Sequence, residues 1–342
     1  MAYKRPRILI VTDAWHPQIN GVVRTIEYMQ KYLEQMGYDV ILETPEGHFS
    51  IPMPTYKEIR LSLTTPWQLY KRFDAANADY IHIATEGPLG MYARRWAKKR
   101  QYCYTTAFHT MLPQYVKKRF PFVPLTWLWR WEHWFHKNAT HCFAPTQSVA
   151  DILKSHQFTN VAIWSRGVDT HMFQPAPKQH EYPSPVWIYV GRVAIEKNIE
   201  AFLDLKIKGT KLVVGGGPAL EHLKKQYPNV QFTGPQSEAD LPRYYNDADV
   251  FVFPSLTDTF GLVMLEALAC GKPVAAYPAP GPLDIIDNRP IGAINKDLAI
   301  ACQQALQISP VACRTFAESQ SWQKIIENFN NQMVNIHGEY PK

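Results

Sequence analysis

Along almost the whole chain, apolar runs of strand length alternate with stretches of helical period, and no other feature narrows the fold as much. Arg7 to Val11 is such a run, followed by a loop through His16, Pro17 and Asn20-Gly21. Val22, Ile26, Met29, Leu33 and Met36 then recur at spacings of four, three, four and three, which is one helix face. Gly37 stands where a helix end favours glycine. Further strands are expected over 80–84, 102–108 and 140–143 after a short one at 40–42, with helices opening at Pro88, Pro124 and Thr146. Several of these strands are apolar without alternation, the pattern of a parallel sheet covered by helices on both faces.

Residues 174–185 carry four prolines (Pro175, Pro177, Pro183, Pro185) and little periodicity, which predicts a linker. Beyond it, strands are expected over 186–190, 211–214, 230–233, 250–253 and 273–276, between helices beginning near Asn198, Pro218, Glu238 and Phe260. Asn77-Ala78-Asp79-Tyr80-Ile81 and Asp247-Ala248-Asp249-Val250-Phe251 echo one another, each leading a polar turn into an apolar strand. The expected fold class is α/β, with two doubly wound, Rossmann-like domains facing across a cleft where the strands end. Their predicted bounds are 1–173 and 186–315, joined by the 174–185 linker, with a helical segment 316–342 packing back on the first domain.

A length of 342 residues suits two cores of roughly 150 residues each. Five cysteines, odd in number and without a CxxC pair, predict buried thiols in a reducing compartment, with neither a disulfide frame nor a zinc site. The apolar run at the N-terminus stops at Thr12, short of a signal peptide, and no stretch approaches the ~18 residues of a spanning helix. A soluble or peripheral protein is expected. The net charge of +6 is modest, but Arg94, Arg95, Lys98, Lys99 and Arg100 form one cluster and Lys117, Lys118 and Arg119 another. Such clusters suit an anionic surface: phosphate, nucleic acid or acidic lipid.

The segment from Thr257 to Pro273 carries the most chemistry. A helix opening at Phe260-Gly261 would present free N–H groups and a positive dipole end to a diphosphate. Asp258, just ahead of it, could accept sugar hydroxyls, and Glu266, one and a half turns in, could reach a ribose diol. Read blandly, Asp258 only caps the helix and Glu266 only decorates it. Gly191-Arg192 and Glu196-Lys197-Asn198 follow the first strand of the second series, where Arg192 and Lys197 can grip a diphosphate and neutralise its growing charge as it leaves. Gly21 lets backbone approach a phosphate closely. Asp247-Ala248-Asp249 superficially matches a DxD metal motif, but it lacks companion ligands and is read as entry to a strand. Gly215-Gly216-Gly217 lacks dinucleotide-loop spacing and is read as backbone room near a donor.

Together with Trp164-Ser165-Arg166-Gly167-Val168-Asp169, these segments resemble retaining glycosyltransferases of the GT-B fold, in the large family four of mannosyl-, glucosyl- and sulfoquinovosyl-transferases. The resemblance covers nearly the whole chain and is closest to members that glycosylate lipids. It departs in one place, since Asp258 stands where many members have Glu. It implies that Arg192 and Lys197 bind the diphosphate with Gly191, and that Glu266 binds the ribose. Asp258 with the Thr259, Phe260 and Gly261 amides would hold donor sugar and phosphate, and the Gly21 amide would approach the β-phosphate. His109 would meet the donor sugar near the reacting carbon, and Glu86-Gly87 would line the acceptor side, in the 1–173 domain.

The implied reaction moves a hexose from a UDP- or GDP-sugar to a lipid acceptor such as diacylglycerol at the cytoplasmic membrane face, with retention, needing neither cofactor nor metal. A GDP-mannose-dependent mannosyltransferase acting on a phospholipid or polysaccharide precursor is the runner-up, and a nucleotide-sugar epimerase of the same fold is the rival from another class. A nucleic-acid partner would leave Asp258 and Glu266 unexplained and is not expected. Trp127, Trp129, Trp131 and Trp134 fall within eight residues. Trp127, Trp131 and Trp134 share a helical face and are expected in the core, and the remainder with the two basic clusters should contact anionic membrane.

Overall fold

The computed structural model describes residues 5–18, 20–53 and 56–341, with backbone alone at 52, 53, 56–61, 118 and 119. The chain divides into two compact units, one formed by residues up to 165 together with 323 onward, the other by 166–322.

The first unit holds β1 (Arg7–Val11), β2 (Asp39–Glu43), a hairpin of β3 (Ser50–Met53) and β4 (Tyr56–Ser62), then β5 (Tyr80–Ile83), β6 (Thr105–Ala107), β7 (His141–Ala144) and β8 (Val161–Ile163). Six of these make one parallel sheet in the order β2-β1-β5-β6-β7-β8. The second unit holds β9 (Val186–Val190), β10 (Thr210–Val214), β11 (Gln231–Gly234), β12 (Val250–Phe253), β13 (Val274–Ala276) and β14 (Gly292–Ile294). Its parallel sheet runs β11-β10-β9-β12-β13-β14. Residues of β9 and β12 alternate between two separate cores: Ile188, Val190, Phe251 and Phe253 pack in one, while Trp187, Tyr189, Val250 and Val252 pack in the other. Both faces of this sheet are therefore buried, which is why its strands show no polar alternation.

The unexpected elements are the ones with weak apolar signal. The β3–β4 hairpin is antiparallel and carries Pro52, a residue suited to edges because it has no N–H to donate. β8 is only half-buried and β14 likewise. The run expected over 102–108 shortens to β6, since the chain at Cys103 instead donates its N–H to Ile336 O. That bond belongs to the C-terminal residues, which also place Asn330 against the Tyr38 hydroxyl and Phe329 against Trp164.

Residues 174–185 are fastened to the second unit by side chains at the end of its Leu241–Asp247 helix. Asn246 accepts the Ala176 N–H, and Asp247 accepts the Gln179 N–H at 2.6 Å and the His180 N–H at 3.2 Å. Asp249 accepts the Val186 N–H and pairs with Lys178. The Asp-x-Asp pair thus spends its oxygens on the chain itself. Asp247→Ala, removing both of these hydrogen bonds, should lower stability by roughly 1–2 kcal/mol in urea denaturation, and an unchanged midpoint would refute this anchoring role.

Candidate functional site

In the second unit the strand order reverses between β9 and β12, the switch point at which open α/β sheets gather the loops that follow their central strands. The loop after β9 carries Gly191, Arg192 and Lys197, and the loop after β12 runs through Asp258 to Gly261. Three side chains staple the two loops together: Asn198 donates to Pro254 O at 3.0 Å, Thr257 donates to Glu196 O at 3.3 Å, and Lys197 forms an ion pair with Asp258. Both members of that pair are largely shielded from solvent. Asp258 thus faces Lys197 from the loop ahead of the following helix. Arg192 lies 4.0 Å from Glu196, and its carbonyl accepts the Tyr189 hydroxyl.

The helix after β12, Leu262–Ala269, begins after Gly261, whose φ of +90° is open to glycine. A Cβ there would lie 2.8 Å from the Phe253 ring. Glu266 is buried on this helix and accepts the Tyr245 hydroxyl at 2.8 Å, which fixes the carboxylate. Tyr245 escaped notice in the sequence because it lies 21 residues away on another helix. Gly215 and Gly217 do not open space: a Cβ on either would strike Gly191 O or Val193 O. They let the β10 turn lie directly under the loop after β9, with Val193 donating to Gly216 O. The expectation of room beside a donor is replaced by tight backbone packing.

In the first unit the strand order reverses at β1 and β5. Asp13, just past β1, is buried and accepts N–H groups of Leu89 and Gly90, so it caps the Pro88–Lys99 helix, and Thr85 donates to it as well. Gly87 is required here, since a Cβ would come within 2.3 Å of the Asp13 carboxyl carbon. Burial pushes the Asp13 carboxyl up to about 6 against these hydrogen bonds. Sequence reasoning passed over Asp13, although an acid directly after a buried strand is a signal. Glu86 sits 3.3 Å from the buried His136 imidazole, which also lies 3.4 Å from Glu132. Burial pushes the Glu132 carboxyl up to about 7. Burial opposes charge on His136, but Cys142, Glu132 and Glu86 outweigh it and hold the imidazole well above its usual range. His109 follows β6 and meets the Trp164 ring edge-on. Gly21 is exposed as the first residue of the Gly21–Gln35 helix, and Asn20 caps that helix through Val22 and Val23.

The tryptophan cluster is arranged otherwise than expected. Trp129, Glu132, Phe135 and His136 form the buried face of the Leu125–His136 helix, while Trp127 is 67% exposed and Trp134 40%. Counting tryptophans alone picked the wrong face, because Glu132 and His136 occupy the inner one. Arg94 also leaves the expected basic surface: it is buried and donates to Trp134 O and Phe135 O, closing that helix. Arg95, Lys98, Lys99 and Arg100 remain exposed, and Lys117 holds the carbonyls of Pro121 and Val123. The side chains of Lys118 and Arg119 lie outside the described residues. Phe120, Phe122 and Leu125 are exposed beside Lys117.

The two parallel six-stranded sheets with these loops define a glycosyltransferase of the GT-B fold. The solved sucrose-phosphate synthase from Thermosynechococcus elongatus aligns over 95% of this chain and 97% of its own with a TM-score of 0.75, at 22% identity. Residues 19–172 match the model described as Glycosyltransferase Family 4, and residues 173–301 match Glycosyl transferases group 1. The chain belongs to glycosyltransferase family 4 and depends on a nucleotide-sugar donor. It is 29% identical to the sulfoquinovosyl transferase SQD2 of Arabidopsis thaliana, over 81% of this chain and 60% of that longer protein. It is 26% identical to a GDP-mannose-dependent alpha-mannosyltransferase of Corynebacterium glutamicum, over 82% of this chain and 75% of the relative. It is also 26% identical to an alpha-monoglucosyldiacylglycerol synthase of Streptococcus pneumoniae, over 96% and 84%. Among the described residues no helix is long and apolar enough to cross a membrane.

Two outcomes follow from this geometry. Gly261→Ala should cost roughly 1–3 kcal/mol through backbone strain and the Phe253 contact, read as a lowered thermal midpoint. Because folding raises the Asp13 pKa from 3.8 to about 6, the penalty for its charge is present above pH 6 and relieved below 3.8. Relative to Asp13→Asn, the protein should therefore gain up to roughly 2–3 kcal/mol as pH falls through this window, and parallel stability curves would contradict the assignment.

Proposed function

We propose that this enzyme moves a hexose from a UDP- or GDP-sugar to a lipid acceptor such as diacylglycerol, with retention of configuration, at the cytoplasmic face of a membrane. The observation that carries the donor half is the pair of loops after β9 and β12, locked by Lys197 and Asp258 ahead of the Leu262–Ala269 helix. The amides at Thr259, Phe260 and Gly261 at the start of that helix, with Gly191, Arg192 and Lys197, suit a diphosphate. Glu266, aligned by Tyr245, suits the ribose diol. Asp258 holds the donor sugar, in a shorter reach than glutamate would give. The family resemblance assigns Gly21 and His109 to the donor phosphate and the reacting carbon, and Glu86 and Gly87 to the acceptor side.

The chemistry needs no covalent nucleophile and no metal. As the bond from the anomeric carbon to the diphosphate oxygen breaks, the acceptor hydroxyl oxygen bonds to that carbon on the same face and passes its proton to the departing oxygen, while Arg192 and Lys197 neutralise the charge remaining on the diphosphate.

A lipid acceptor is supported by the name of the Streptococcus pneumoniae relative and by the exposed Phe120, Phe122, Leu125 and Trp127 beside Lys117. Aromatic and apolar side chains with basic neighbours suit an anionic interface. Arg95, Lys98, Lys99 and Arg100 would add to it; Arg94 would not. The Corynebacterium glutamicum relative favours a second version, transfer of mannose from GDP-mannose to a phospholipid or polysaccharide precursor.

Incubating the enzyme with UDP-glucose or GDP-mannose and vesicles of diacylglycerol in anionic phospholipid should yield a lipid-linked hexose from one donor. Donor turnover without acceptor would mark an epimerase, and transfer from neither donor to any lipid would overturn the proposal. Lys197→Ala and Asp258→Asn should each lower kcat/KM by about 10²–10³-fold. Replacing Phe122 and Trp127 with Ser should weaken vesicle binding while leaving nucleotide binding intact.

A further inference from the structure

Glu86, Glu132 and His136 bring three potential ligand atoms within 4.8 Å of one another beneath the turn that follows β5. Glu132 and His136 are one helical turn apart, while Glu86 reaches them from the turn before Pro88. The His136 ring is held from behind: Nδ1 lies 2.9 Å from the Thr106 hydroxyl, which is itself directed at the His141 carbonyl. That hydroxyl therefore accepts from Nδ1–H, and Nε2 faces the two carboxylates, so a cation that displaces the Nε2 proton would find the ring already aimed at it.

These three groups are poorly suited to one another alone. Nε2 and both Glu132 oxygens are buried, and none has a hydrogen-bond partner. The Nε2 separations from Glu86 and Glu132, 3.3 and 3.4 Å, are long for a charge-assisted hydrogen bond. They are the right size for something else. Zinc bonds of ~2.0–2.2 Å to nitrogen and oxygen place neighbouring ligands of a tetrahedron roughly 3.3–3.5 Å apart. Thr106 already provides the outer hydrogen bond that orients a metal-bound imidazole.

We propose that Glu86, Glu132 and His136 form a structural site for a divalent zinc-class cation, tying the turn after β5 to the Leu125–His136 helix. The two carboxylates balance the ion's charge, and Glu86, with 15% of its side chain exposed, is the side from which the ion and a fourth, water ligand enter. The ion would have a structural role and take no part in the transfer step, although Glu86 stands at the proposed acceptor side.

The test uses the full chain and zinc sulfate alone. After incubation with micromolar Zn²⁺ and gel filtration, elemental analysis should find about one zinc per chain, and Co²⁺ in its place should give the visible bands of a tetrahedral ion. Chelator should lower the melting temperature by roughly 5 °C. Glu86→Gln, at a partly exposed turn, should fold normally and lose the metal, as should Glu132→Gln if it folds. Failure to retain zinc, or equal retention by Glu86→Gln, would overturn the site. So would a His136 imidazolium signal in NMR that added zinc leaves unchanged, since a proton would then occupy the place of the ion.

Discussion

The parallel pairing of β9 with β12 is the constraint on which the second unit depends. Val250 lies beside Trp187 and Phe251 beside Ile188 at the centre of the sheet, with apolar side chains packed above and below. Because both strands run the same way, the chain leaves them at the same edge, and two loops more than fifty residues apart in sequence are delivered side by side. Everything polar that follows is a matter of fixing those loops. Asn198 and Thr257 do so through backbone carbonyls, and Lys197 with Asp258 through charge. Gly215 and Gly217 then support the first loop from below, where any larger residue would lift it.

The first unit solves the same problem at a greater cost. Its central strands β1 and β5 also end side by side, but here a buried carboxylate, Asp13, joins their loops by capping the Pro88–Lys99 helix. The helix end that could hold an anion is thus occupied by one of the protein's own. The energetic price is visible in the raised Asp13 pKa, which hydrogen bonds from Thr85, Leu89 and Gly90 only partly offset. Gly87 exists at that turn because the carboxylate leaves no volume for a side chain.

Much of this was legible in the sequence where burial is two-sided and continuous. The bounds of β1, β9 and β12 follow from their apolar runs to the residue, and Gly37 and Thr146 mark helix ends, whereas the Asn20 cap does not stand out. Two kinds of feature were not legible. Edge elements such as the β3–β4 hairpin and β14 have half-exposed surfaces, so their pattern resembles that of loops. Pairings made through tertiary packing, such as Tyr245 with Glu266 or Arg94 with the end of the Leu125–His136 helix, leave no periodic trace. That helix misled for a further reason. Its buried face includes Glu132 and His136, and an expectation that ionisable residues face water turns such a helix the wrong way round.

The Lys197–Asp258 pair has a consequence for what the second unit ignores. A cation already paired with its own carboxylate casts less field into solution, so Lys197 by itself draws simple anions such as chloride or inorganic phosphate only weakly. Only a ligand that brings further contacts with it can compete for the lysine. Discrimination against the abundant small anions of a cell is thereby built into one ion pair, before any group that recognises sugar or base comes into play.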